Sequence, residues 1–192
     1  MRKSSWQSAV GAAVLVTCSG IAGSAQTASS AVEQFTTATR EYALAHRRIE
    51  RAVGPLTVTA SPVELVANVN AIGDGIRGER VNARQGDLFT PQLSAELRER
   101  IANALAARGL TPADVTTDEI PEGINRSALA VRVGGPFPWA AGFNVLPTLI
   151  EALPELPPEL QYRFVFRDLV LVDVHANLIV DVLPQALAAT EF

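Results

Sequence analysis

The sequence predicts an α+β fold in which N-terminal helices pack on a small C-terminal antiparallel sheet that ends in a three-stranded meander. The first half of the chain places apolar residues at helical spacings of three and four, between capping residues and glycines. The end of the chain holds short runs rich in valine and leucine, which are typical of strands. Because helices and strands lie in different halves, a layer of helices on one sheet is favoured.

The first residues have the order of a secretory signal peptide. A basic pair that starts at Arg2 precedes the apolar run 9–16, and a stretch of small residues ends at Ala25. We predict cleavage after Ala25, which leaves residues 26–192 as a single domain. A lipoprotein signal is the alternative, because Cys18 follows the apolar run where a lipid anchor would be attached. No later segment approaches the roughly 18 apolar residues that a membrane span requires.

The composition of the predicted mature chain excludes several chemistries. Lys3 and Cys18, the chain's lysine and cysteine, are both removed with the predicted signal. A Schiff-base lysine, a cysteine nucleophile and a thiolate metal site would therefore lack their reactive group. Removing two of the 16 basic residues while all 20 acidic residues remain leaves a net charge of −6. Nucleic-acid binding normally needs a basic surface, so we expect no nucleic-acid partner.

The first helix is predicted over residues 30–53. The larger side chains from Val32 to Val53 recur in threes, fours and one seven, as a single helical stripe requires. His46 lies on this stripe, between Tyr42 and Ile49. We interpret His46 as a packed, hydrogen-bonded core histidine.

The second helix is predicted to begin at Ser61, because a serine cap, a proline and a glutamate at the third helical position follow one another. Its predicted buried residues are Leu65, Val69, Ile72 and Ile76. Residues 73–78 match the G-x-G-x-x-G phosphate pattern, but a helix rather than a strand precedes them, so we reject a nucleotide site. We expect the glycines to loosen the helix and to end it near Gly78.

The third helix is predicted to begin at the cap Thr90 and to end at Gly109, with Leu93, Leu97, Ile101 and Leu105 on its buried face. A short turn capped by Thr111 is expected next. After residue 127 we predict a strand at 127–133, a short helix at 145–153 and a proline-stiffened connector at 155–160.

The closing segment predicts three antiparallel strands, at residues 162–166, 169–174 and 178–183. A three-residue loop with Asn177 in the left-handed position pairs Val172 with Val180 and Val170 with Val182. The opposite face then carries Asp173 and Asp181 as diagonal neighbours, roughly 7–8 Å apart at Cα.

Asp173, His175 and Asp181 form the candidate metal or acid–base site of this hairpin, since two carboxylates and an imidazole suit either chemistry. The alternative is structural, because strands often carry a polar residue where they leave the core. In that case, replacing either aspartate by alanine has a small effect or stabilises the fold.

A second candidate site is the aromatic loop GGPFPWAAGF. Phe137, Trp139 and Phe143 lie in it among three glycines and two prolines. Such residues form the walls of ligand sites, or they fold back to cover a sheet edge or the end of a core. We favour the covering role.

Several segments resemble a group of uncharacterised exported bacterial proteins of unknown activity. They are ARQGDLFTP, GGPFPWAAG and LQYRFVFRDLVLVDVHANLIVDVLP, behind a helix that contains HRRIE. The resemblance covers most of the predicted mature chain. It implies a location in the cell envelope, and it transfers no catalytic residue. With the predicted signal, we expect the exported protein in the periplasm or outside the cell.

The sequence therefore predicts an exported, non-enzymatic domain without a cofactor. We expect it to bind an envelope protein or a small ligand, or to support an assembly of the cell envelope. The alternative is a metal-binding protein or a metal-assisted hydrolase that uses Asp173, His175 and Asp181.

Overall fold

A computed structural model describes the backbone of residues 22–54, 61–117, 119–120, 122–123, 125 and 129–187, with side chains from residue 30 onward. The helices are α1 (Ala22–Val53), α2 (Pro62–Glu79), α3 (Pro91–Ala106) and α4 (Pro147–Ile150). The strands are β1 (Gly142–Asn144), β2 (Leu160–Val165), β3 (Asp168–Asp173) and β4 (Leu178–Leu183). They pair antiparallel in the order β1-β2-β3-β4, which confirms the predicted α+β class.

Most of the predicted signal, including Cys18, lies outside the described residues. Among the helices that are described, none combines the length and the apolar character that crossing a bilayer requires.

Helix α2 begins as predicted but is buried along only part of its length. The side chain of Ser61 caps it by accepting a hydrogen bond from the Glu64 N–H. Its buried residues, which include Ile72 and Ile76, all lie in its second half. The predicted burial of Leu65 was wrong: this side chain is 47% exposed, because the first half of the helix lies outside the described core.

The glycines of α2 allow close packing rather than only ending the helix. The helix ends at Glu79, next to the predicted end at Gly78. Within it, a Cβ on Gly75 would lie 2.5 Å from Cγ2 of Ile49, so α1 and α2 approach each other at this glycine. A Cβ on Gly73 would lie 3.2 Å from the carbonyl oxygen of Ala176, so α2 also packs on the turn between β3 and β4.

Helix α3 confirms its predicted cap and buried face. Thr90 accepts a hydrogen bond from the Leu93 N–H, and Gly109 has a positive φ of 63° after the helix. The four apolar residues that the spacing selected are all buried: Leu93, Leu97, Ile101 and Leu105. The predicted turn after Thr111 is a 3-10 helix, Pro112–Asp114.

Both faces of the sheet are covered. One face packs on the helices in a core that includes Phe35 of α1, Leu97 of α3 and Leu171 of β3. The other face carries a smaller apolar cluster in which Phe137 packs with Val170 of β3. The central strands are therefore apolar on both sides, which explains their nearly continuous valine and leucine content.

The strand predicted at 127–133 was wrong in its described part, residues 129–133. Gly134 has a positive φ of 77° and lies in a turn that begins at Val133. Pairing with β4 begins only there: the Gly134 N–H donates to the carbonyl oxygen of Ile179, whose own N–H donates to the carbonyl oxygen of Gly135. These residues cover the start of the outer edge of β4.

The predicted register between β3 and β4 holds at one end only. Val170 pairs with Val182 as predicted, but Val172 pairs with Ile179. The turn has four residues rather than three, and Asn177 has the expected positive φ of 47°. Val180 is the extra residue of a bulge, so it lies in the helix-facing core together with Leu178.

Candidate metal centre

The carboxylate of Asp173 joins α1 to the turn between β3 and β4. Asp173 ends β3 on the helix-facing side and is fully buried. Its Oδ2 accepts a hydrogen bond from the Tyr42 hydroxyl at 2.7 Å and lies 2.6 Å from Nδ1 of His46. Its Oδ1 accepts hydrogen bonds from the backbone N–H groups of His175 and Ala176 at 3.0 and 2.9 Å. One carboxylate therefore connects the helix and the turn.

His46 is the core histidine that the sequence predicted, and it is 1% exposed. Its Nδ1 faces Asp173, but its Nε2 is buried without a hydrogen-bond partner among the described residues. Nε2 lies 3.8 Å from Oε2 of Glu50, beyond hydrogen-bonding distance. Buried polar atoms in folded proteins are nearly always paired, so this nitrogen requires an explanation.

The side chains of Glu50 and His175 form a cluster of possible metal donors with His46. His46 and Glu50 lie one turn apart on α1 and therefore share a helix face. His175 approaches from the turn, with its Nδ1 3.8 Å from Oε1 of Glu50 and its ring centroid 5.5 Å from that of His46. One donor atom from each of the three lies within 4.8 Å of the others. Two imidazoles and a carboxylate form a ligand set that suits a first-row divalent metal ion.

Burial and charge act on the ionisable groups around Asp173. Burial lowers the pKa of His46, whereas the hydrogen bond and the charge of Asp173 raise it, and the balance lies above the ordinary value. Burial and the nearby Asp173 raise the pKa of Tyr42, so its hydroxyl stays protonated. It donates a hydrogen bond to the Asp173 carboxylate.

A neighbouring buried carboxylate, Glu159, is engaged elsewhere. Arg47 donates to it from Nε at 2.5 Å and from a terminal nitrogen at 3.2 Å. Burial alone would raise the pKa of Glu159, but the hydrogen bonds and the charge of Arg47 hold it below the ordinary value. This ion pair fixes α1 to the start of β2 and takes no part in the cluster of His46, Glu50 and His175.

The structure separates the three residues of the predicted hairpin site. Asp173 and His175 lie together at His46, but Asp181 anchors the loop between α2 and α3. Its Oδ1 accepts hydrogen bonds from the N–H groups of Gly86 and Val182, and its Oδ2 accepts hydrogen bonds from those of Leu88 and Phe89. Four backbone donors therefore occupy its two oxygens.

The aromatic residues of the loop do not line one common wall. Phe137 is buried against the sheet face opposite the helices, whereas Phe143 packs at the edge of the helix-facing core. Trp139 is 53% exposed, and its Nε1–H donates to Oδ1 of Asn177 at 2.7 Å. Its ring meets that of Phe137 edge-on at 4.9 Å.

Sequence reasoning missed His46 and Glu50 as candidate ligands. The available signal was their spacing of four on a predicted helix, in the segment HRRIE. That spacing gives a shared face but does not indicate what lies opposite it. Comparisons with protein-family models, with curated proteins and with solved structures find no match for this chain.

Proposed function

We propose that this chain is an exported metal-binding domain whose ion is held by Nε2 of His46, the carboxylate of Glu50 and the imidazole of His175. The observation that carries the proposal is the buried, unpartnered Nε2 of His46 beside two further donors. His175 is shared with the ligand set predicted from sequence. Glu50 takes the place of Asp181, whose oxygens already accept four hydrogen bonds.

The donor set favours Zn²⁺ or a similar first-row ion over Mg²⁺ and Ca²⁺, because those two ions prefer oxygen ligands. The side chains of Glu50 and His175 are 43% and 48% exposed, so an ion can reach them from solvent. In a tetrahedral zinc site the donors lie about 3.3 Å apart, given bond lengths of about 2.0–2.1 Å. The present donors lie up to 4.8 Å apart, so metal binding requires these two accessible side chains to rotate toward His46.

We expect the purified protein to bind one Zn²⁺ per chain, and Glu50→Gln or His175→Ala to weaken binding at least tenfold. Each variant removes one donor and leaves the buried core in place. Calorimetric titration of chelator-treated protein measures this. It is done at about pH 8, because a histidine binds a metal ion only through an unprotonated ring nitrogen.

Glu41→Gln is the matched control for Glu50→Gln. It makes the same chemical change on α1 at an exposed position, and it should leave the affinity unchanged. Absence of stoichiometric binding to the unmodified chain would refute the proposed function. Unchanged binding in Glu50→Gln and His175→Ala would refute the proposed ligands.

The broader role that we propose is a non-enzymatic one in the cell envelope, where the domain binds a partner or a small ligand. The signal-like order of the first residues supports export, and exposed aliphatic side chains at the start of α2 support partner binding. These are Val63, Leu65 and Val66, exposed by 77%, 47% and 57%.

We expect the mature chain recovered from cells to begin at Gln26, after removal of a signal by cleavage behind Ala25. Mass spectrometry of the intact protein and of its N-terminal peptide measures this. Recovery of a chain that begins at a lipid-modified Cys18 would show a lipoprotein instead. Recovery of the full-length chain would contradict export through a cleaved signal.

A further inference from the structure

Asp173 contacts both histidines of the candidate metal centre, although its carboxylate is not one of the three converging donors. Its Oδ2 faces the ring of His46, and its Oδ1 accepts from the backbone N–H of His175. The carboxylate thus acts on one histidine through its side chain and on the other through its main chain.

The contact with His46 determines which ring nitrogen carries the proton. Three other donors, the Tyr42 hydroxyl and two backbone N–H groups, already point at the Asp173 carboxylate, which therefore acts only as an acceptor. The hydrogen atom in the 2.6 Å contact must belong to Nδ1 of His46. A neutral imidazole carries one ring proton, so Nε2, which lies 3.8 Å from Oε2 of Glu50, keeps its lone pair.

The contact with His175 fixes the turn that presents this ligand. Oδ1 of Asp173 holds the N–H groups of His175 and Ala176 from inside the fold. On its other side the turn packs against α2, where Gly73 leaves room for the Ala176 carbonyl. The His175 backbone is therefore held in place while its side chain remains accessible.

We infer that Asp173 is the positioning residue of the metal centre: it sets the tautomer of His46 and the placement of His175 without touching the ion. The inference rests on the proposed function. A partner that orients a metal-binding histidine typically contributes 10- to 100-fold in metal affinity. Here one buried carboxylate orients two ligands, so we expect the upper part of that range.

Asp173→Asn tests the inference because it keeps the shape of the side chain. An amide replaces one acceptor oxygen by a donor, so its remaining oxygen is able to accept from His46 and Tyr42 or from the two backbone N–H groups, but not from both pairs. We expect the Zn²⁺ affinity to fall about 100-fold. Bound Co²⁺ should keep the absorption bands of the unmodified protein, since the atoms that ligate the ion are unchanged.

Asp181→Asn is the matched control. Asp181 is an equally buried carboxylate with four backbone donors, on the adjacent strand and away from the histidines. Its replacement should lower stability and leave the Zn²⁺ affinity of the folded protein unchanged. A general loss of structure would affect both variants alike, whereas loss of positioning affects only Asp173→Asn.

Long-range ¹H–¹⁵N NMR of the metal-free, unmodified protein provides a second readout that needs no variant. At a pH where His46 is neutral, we expect its proton on Nδ1. A proton on Nε2 would overturn the inference whether or not the protein binds a metal.

Absence of zinc binding to the unmodified chain would refute the proposed function, and the tautomer would still test the action of Asp173 on His46. If the unmodified chain binds zinc and folded Asp173→Asn binds it equally well, the positioning role is wrong and the ligand set stands.

Discussion

Asp181→Ala is expected to lower the free energy of unfolding by about 3–5 kcal/mol, because it leaves several buried backbone donors without an acceptor. Asp181 is fully buried, and Leu88 and Phe89, whose N–H groups it accepts, are buried as well. Alanine ends at Cβ and supplies no acceptor, so these buried N–H groups lose their partner. Urea denaturation with a fixed m-value measures the loss.

Asp87→Ala is the control, since it is the same substitution in the same loop. The carboxylate of Asp87 is exposed and accepts one backbone hydrogen bond, from Arg84. We expect its removal to cost at most about 1 kcal/mol, because solvent replaces the lost partner. A loss below about 1 kcal/mol for Asp181→Ala would mean that the loop between α2 and α3 finds other acceptors.

The large loss of stability that the structure predicts for Asp181→Ala is the reverse of what the sequence alone predicts. From the strand pattern, removal of Asp181 was predicted to have a small or even stabilising effect, since a buried carboxylate is costly to desolvate. The pattern does not show that the glycine-containing loop before α3 folds over β4 and points its N–H groups at the carboxylate. The desolvation cost is offset by four charge-assisted hydrogen bonds.

Gly142→Ala should lower the free energy of unfolding by about 1–3 kcal/mol through overpacking. A Cβ at this position would overlap the ring of Phe137, which is 3% exposed and packed against the sheet. The backbone of Gly142 has φ −89° and ψ 135°, which alanine adopts without strain. The effect is therefore steric, and thermal or urea denaturation measures it.

Two further measurements test whether the effect of Gly142→Ala is a steric overlap with Phe137. Gly78→Ala adds the same methyl group inside α2, where its Cβ would meet no atom of the described residues beyond the helix itself within 4 Å, and should raise stability by about 0.5–1 kcal/mol through helix propensity. In a Phe137→Leu background, the cost of Gly142→Ala should shrink, because the smaller side chain makes room. Additive effects of the two changes would show that Phe137 is not the group that is displaced.

The fold was predictable where local chemistry determines it. Ser61 and Thr90 mark helix starts because a cap acts on amides within a few residues. The strand β4 was placed correctly for a similar reason, since its valine and leucine run is bounded by turn residues. The bulge at Val180 was not predicted, because alternation by itself does not specify an extra residue in one strand.

The candidate centre was only partly predictable, because its parts lie far apart in the chain. Asp173 and His175 were predicted as candidate site residues because they are polar residues in an apolar run. His46 was predicted to be buried, and it is. Nothing local indicates that α1 lies against the turn between β3 and β4, so that the rings of His46 and His175 meet. Such a meeting depends on tertiary packing.

The edges of the sheet have a consequence for aggregation. The start of β4 pairs with Gly134 and Gly135, and on the opposite side of the sheet β1 pairs with three residues of β2. A long unpaired edge is a template on which strands of another copy add, and these pairings shorten both edges. They therefore disfavour edge-to-edge association of the apolar central strands.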